Sequence, residues 1–91
     1  MIRIPVHVQK YAESPVFTED TVPEKLTTLH QTKSTVWGRI CILSGELDYI
    51  IVGPPEKKAR LNLQSEGIIK PEQAHRVEIT GPVSFKVEFY K

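Results

Sequence analysis

Seven prolines, Pro5, Pro15, Pro23, Pro54, Pro55, Pro71 and Pro82, cut this chain of 91 residues into short pieces. A proline inside a helix removes a hydrogen bond and clashes with the preceding turn, so long helices are excluded over most of the length. The window long enough to hold one, Glu24 to Trp37, carries Thr27, Thr28, Thr32, Thr35 and Val36. Their branched side chains favour strands. One or two helical turns near Pro23-Glu24-Lys25 are still allowed, because proline suits a first turn.

The segments between the breakers alternate as strands do. Val83, Phe85, Val87 and Phe89 interleave with Ser84, Lys86, Glu88 and Tyr90, and His75, Val77 and Ile79 interleave with Arg76, Glu78 and Thr80. Val36 to Leu43 is apolar on both faces, as a central strand would be. Ser44-Gly45 then reads as a tight connection into Glu46–Val52, which predicts a β-hairpin. Gly53 to Lys58 reads as an exposed loop. Ala59 to Gln64 places Leu61 and Leu63 on one face, followed by a glycine turn at Gly67. Short strands at this spacing predict a single all-β domain over residues 1–91, a small barrel or sandwich of antiparallel strands.

Composition narrows the function classes. Net charge is +1 from 12 basic and 11 acidic residues, without the basic face of a nucleic-acid binder. No apolar run approaches the ~20 residues that span a bilayer, and the N-terminus lacks the apolar core of a signal peptide. Cys41 stands alone, so no intramolecular disulfide forms and a reducing compartment is the simpler expectation. The expectation is a cytoplasmic protein with neither nucleic acid nor membrane as partner. Phosphate-loop, Cys-x-x-Cys and nucleophile-elbow motifs are missing from the sequence.

The order Gly45, then Leu63…Gly67…Pro71…His75, resembles the two halves of the cupin signature. More narrowly, His30-x-Thr32-Lys33 leading into Val36-Trp37-Gly38, with the closing Phe85-Lys86-Val87-Glu88-Phe89-Tyr90, resembles the small TehB/YeaR-like domain, a cupin-like family associated with tellurite resistance. The resemblance spans roughly Tyr11 to the C-terminus. It implies a cupin-like barrel or jelly roll with His30 and His75 as metal ligands, and it suggests Glu88 as a third. Gly38 stands where a typical metal-binding cupin has its glutamate. A His-His-carboxylate set suits a first-row divalent metal such as zinc, manganese, iron or nickel.

The residues themselves bear on those roles. His75 shares a face with Val77 and Ile79 and is expected to point inward, where each ring nitrogen needs a partner, either backbone or metal. Glu88 faces away from Val87 and Phe89, which places it on the surface unless a bulge or a polar cavity intervenes. His30 lies with Thr28 and Thr32 on a face that is either cavity or solvent. Lys33 could hold an anion near His30, although a lone lysine is usually solvated. Trp37 reads as core or cavity wall, His7 as surface, and Cys41 as a small buried hydrophobe.

These readings leave three functional classes. The first is a module binding a small molecule or ion, with a divalent metal held by His30 and His75. The second is a metal-dependent enzyme of cupin type using that metal as a Lewis acid or oxygen-activating centre, as the resemblance implies. The third is a metal-free structural domain, in which an Ile2–Val8 strand pairs with a neighbouring chain to form a homodimer.

Overall fold

Alternation of core and solvent residues builds the last strand and, from it, the sheet that anchors the molecule. The computed structural model describes residues 3–91. Its elements are β1 (Lys10–Glu13), β2 (Phe17–Thr18), α1 (Glu24–Thr27), β3 (Trp37–Gly45), β4 (Leu47–Ile51), β5 (Lys57–Leu61), β6 (Gly67–Ile69), β7 (His75–Glu78) and β8 (Val83–Tyr90). One sheet runs β1-β8-β3-β6, with β2 also pairing β8; the other runs β5-β4-β7. Every strand pairing in both sheets is antiparallel. The all-β class is as expected, arranged as a sandwich of two sheets and not as a closed barrel.

The two inner faces share one core. Ile40 and Ile42 of β3, Val83, Phe85 and Val87 of β8, and Ile69 of β6 meet Leu47 and Tyr49 of β4, Leu61 of β5 and Val77 of β7. Phe85 and Leu47 have no solvent exposure; burying side chains of this size contributes about 1.5–3 kcal/mol each. The expected inward faces of β7 and β8 are therefore the observed ones. Strand β3 is central as expected, flanked by β8 and β6.

The predicted hairpin after β3 does not form. Strand β3 belongs to the first sheet and β4 to the second. Only Glu46 separates them, and Gly45 adopts the left-handed region (φ 71°). A Cβ there would lie 2.1 Å from the carbonyl oxygen of Pro82, so the residue must be glycine for the chain to cross between sheets. Each strand takes two neighbours in its own sheet, β8 and β6 for β3 and β5 and β7 for β4, which leaves neither free for the other.

Two further expectations shift. The tight turn lies at Leu63-Gln64, closed by the Asn62–Ser65 bridge and by Gln64 N–H donating to Asn62 Oδ1 at 2.9 Å. Leu63 is consequently exposed while Leu61 is buried. Gly67 sits inside β6, where a Cβ would meet Leu61 Cδ1 at 2.8 Å. Of the expected Ile2–Val8 strand, Ile2 lies outside the described residues and Arg3–Val8 form no strand. Gln9 instead exchanges two backbone hydrogen bonds of 3.1 Å with Lys91 of its own chain.

The outer face of β4 is also covered. Asp48 and Ile50 point away from the core yet are 3% and 2% exposed. Lys58 and Arg60 of β5 and Arg76 and Glu78 of β7 flank them in register.

Candidate binding site

The site begins with a backbone pairing. Helix α1 starts after Pro23 and ends at Thr27, capped by Thr28, whose N–H donates to Glu24 O. The chain then runs extended past β7. There His30 N–H donates to His75 O at 3.0 Å, and His75 N–H donates to His30 O at 2.9 Å. Directly opposed residues of an antiparallel bridge project to one face. The two imidazoles accordingly lie with centroids 4.1 Å apart and planes at 59°.

Each ring is oriented by its own backbone. His30 Nδ1 lies 3.0 Å from Thr28 O, and His75 Nδ1 lies 2.8 Å from Gln73 O. A carbonyl only accepts, so each Nδ1 carries the proton and donates it. In His75 this leaves Nε2, which is buried and has no hydrogen-bond partner. The residue is 1% exposed. Burial pushes its pKa down, reinforced by nearby His30 and opposed by the Gln73 carbonyl. The ring is therefore neutral and Nε2 offers a bare lone pair. Tyr49 meets it edge-on at 5.9 Å and donates its hydroxyl to Ile68 O at 3.1 Å. Burial raises the Tyr49 pKa to about 12.

The pair opens on a cavity of about 640 Å³ between the sheets. Ile40, Ile69, Val77, Phe85 and Val87 form its apolar interior, and Lys25, Thr32, Lys33 and Thr35 stand among its lining residues toward solvent. Volumes of this order accommodate small organic molecules. The structure thus brings His30 and His75 together. It also adds Lys25, which was not singled out in the sequence because an exposed lysine on a four-residue helix carries no pattern.

Glu88 is not brought to the pair. It lies on the outer face of β8, across from Arg39 of β3 and Glu13 of β1. Tyr90 donates its hydroxyl to it at 2.8 Å, and Lys10 and Lys86 approach at 3.2 and 3.4 Å. Burial works to raise the Glu88 pKa, but the Tyr90 hydroxyl and the two lysines outweigh it and the net shift is downward. Cys41, half-buried on the same outer face, has its pKa pushed up to about 11 by burial and is correspondingly unreactive.

The donor set can be tested against a metal. Resident zinc and iron centres use three or four protein ligands. His30 and His75 supply two. Among the described residues no third His, Cys, Asp or Glu joins them, and Glu88 is committed elsewhere. The residues present do not fit a resident metal centre.

Comparison with known proteins places this geometry. The model of a family described as the TehB-like domain matches residues 12–87. The crystal structure of TehB from Haemophilus influenzae superposes with a TM-score of 0.81 at 25% identity, covering 91% of this chain and 31% of that one. The chain thus spans about a third of the length of that relative. The crystal structure of a protein from E. coli strain K12 superposes with a TM-score of 0.86 at 20% identity, covering 100% of this chain and 97% of the other, a likeness of fold. No curated protein matches the sequence.

Proposed function

The chain belongs to the TehB-like domain family, and on that premise we propose that it is a small-molecule-binding module whose ligand enters the cavity between the sheets and meets His75. One observation carries this reading: the buried Nε2 of His75 has no partner. A buried acceptor without a donor is destabilising by about 1–3 kcal/mol. Such a group is expected where an incoming molecule supplies the missing donor. The reciprocal backbone bonds with His30 and the Nδ1 bond to Gln73 hold the ring still, so its orientation is set before a ligand arrives.

Binding, not turnover, is the function proposed. The cavity contains one imidazole pair, and among the described residues no nucleophile hydrogen-bonded to a base lines it. A fragment screen by NMR on isotope-labelled protein tests the reading. Fragments are expected to shift His30, His75 and Val77 resonances together. A broad screen in which no fragment moves the two imidazoles would remove the basis for a binding role.

A further inference from the structure

The chemistry of that ligand can be taken further, resting on the same binding reading. The interior of the cavity is apolar around the paired imidazoles of His30 and His75, and there the buried Nε2 of His75 is an acceptor without a hydrogen-bond partner. Because Nδ1 is committed to Gln73 O, Nε2 can only accept, so an occupant must carry a hydrogen-bond donor on an apolar body. The mouth has the opposite character. Lys25 and Lys33 line it, both exposed. Among the described residues neither forms an ion pair, while Lys10, Lys58 and Lys86 all do. No aspartate or glutamate lines the cavity among the described residues. A third lysine, Lys91, lies at the same rim with its Nζ 4.4 Å from the Tyr11 ring centroid.

We propose that the cavity binds an amphipathic organic anion: an apolar body with a hydroxyl at its inner end, donating to His75 Nε2, and a carboxylate at its outer end, met by Lys25 and Lys33. Both ends are used because they differ. The inner acceptor repels a carboxylate, and the outer cations attract one. A small inorganic oxyanion makes poor use of such a site, since seating it against Val77, Phe85 and Val87 strips its hydration without replacing it.

The probes are para-hydroxybenzoate, benzoate, para-hydroxybenzyl alcohol and inorganic phosphate, titrated against the whole chain by NMR. Para-hydroxybenzoate is expected to bind roughly fivefold or more tightly than each of the others. In a Lys25→Gln/Lys33→Gln variant, both positions being exposed and outside the core, its advantage over the alcohol is expected to shrink to within about twofold. In His75→Phe its advantage over benzoate is expected to vanish while the carboxylate preference survives. Equal binding of all three aromatic probes overturns the proposal and leaves the cavity a binding site. Phosphate binding as tightly as para-hydroxybenzoate overturns it in favour of a simple anion site. If the probes are silent while other fragments shift the imidazoles, this inference falls alone; if the fragment screen is silent too, the binding reading falls with it.

Discussion

His30 and His75 hold each other through two reciprocal backbone hydrogen bonds, and their rings share one face with centroids 4.1 Å apart. Two residues 45 positions apart in the chain are thereby fixed as one unit without any side-chain bond between them. The segment that carries His30 has no sheet of its own, and the bridge to β7 is what places it. Further along, Glu72 N–H donates to Thr32 O at 3.2 Å, and Thr32 donates its hydroxyl to Val36 O at 2.9 Å. The wall of the cavity is therefore tied to β7 and its preceding turn at several points.

Substituting His75 separates shape from the lone pair. His75→Ala leaves a void at a position 1% exposed and is expected to destabilise by about 2–4 kcal/mol. His75→Phe keeps the volume and removes the unpaired Nε2, at the cost of leaving Gln73 O without its donor. These changes oppose each other and are expected to cancel to within about 1 kcal/mol. Urea midpoints of the two variants measure the difference, and a phenylalanine variant as unstable as the alanine one would show that Nε2 is not the strained group.

The same residue sets a pH dependence. The folded-state pKa of His75 is lowered from its ordinary value of 6.5. The unfolded chain therefore binds the proton first as pH falls, and stability declines below that value. Between about pH 6.5 and 5, before carboxylates contribute, the denaturation midpoint should fall in the native protein. His75→Gln should flatten that limb. An unchanged slope in the variant would assign the titration to another group.

Two imidazoles without a third donor predict weak metal retention. Protein purified without an affinity tag should hold well under one transition-metal ion per chain by elemental analysis. A chelator should leave its melting temperature unchanged, because a ligand that binds only the folded state would otherwise stabilise it. Stoichiometric iron, zinc, manganese or nickel, lost in His75→Ala, would restore the metal reading.

How much of this was readable beforehand differs by length scale. The inward faces of Val83–Val87 and of His75–Val77 were legible because a period of two needs only neighbouring residues. The crossing at Gly45 was not. Ser44-Gly45 between two apolar runs looks the same whether the strands pair or part, and what decides it are the distant strands that flank each, β8 and β6 for β3 and β5 and β7 for β4. Likewise His30 and His75 were each nameable, but whether they touch depends on a bridge outside any regular strand. Glu88 carried a period-two signal for the outer face, and the structure puts it there with Lys10, Lys86 and Tyr90.

Gly45→Ala tests the crossing. The added Cβ would require a left-handed backbone, which is unfavourable by about 1–2 kcal/mol. It would also press within 2.1 Å of a backbone oxygen, which cannot rotate away as a side chain does. A total loss of at least about 2 kcal/mol is expected in chemical denaturation. Gly81→Ala is the control, since a Cβ there meets nothing within 4 Å. A small loss at both positions would mean that the two sheets adjust to each other more freely than their packing indicates.

Asp48 supplies the complementary acid limb. It is a carboxylate on the outer face of β4, buried because Arg60 and Lys58 close over it. The Arg60 guanidinium hydrogen-bonds it and holds its pKa below the ordinary 3.8, outweighing the opposing effect of burial, with Lys58 adding to the shift. A lowered carboxylate pKa gives stability that is complete above the unfolded-state value and is lost as pH falls through the folded-state one. Asp48→Asn should therefore lower the melting temperature at neutral pH and make it less sensitive to pH below about 4. Glu46→Gln removes a carboxylate that also meets Arg60, at 2.8 Å, but is half-exposed. Water screens that pair, so its melting curve should move much less. Equal shifts for the two variants would indicate that burial adds nothing to what the Asp48 ion pairs contribute to holding β4 and β5 together.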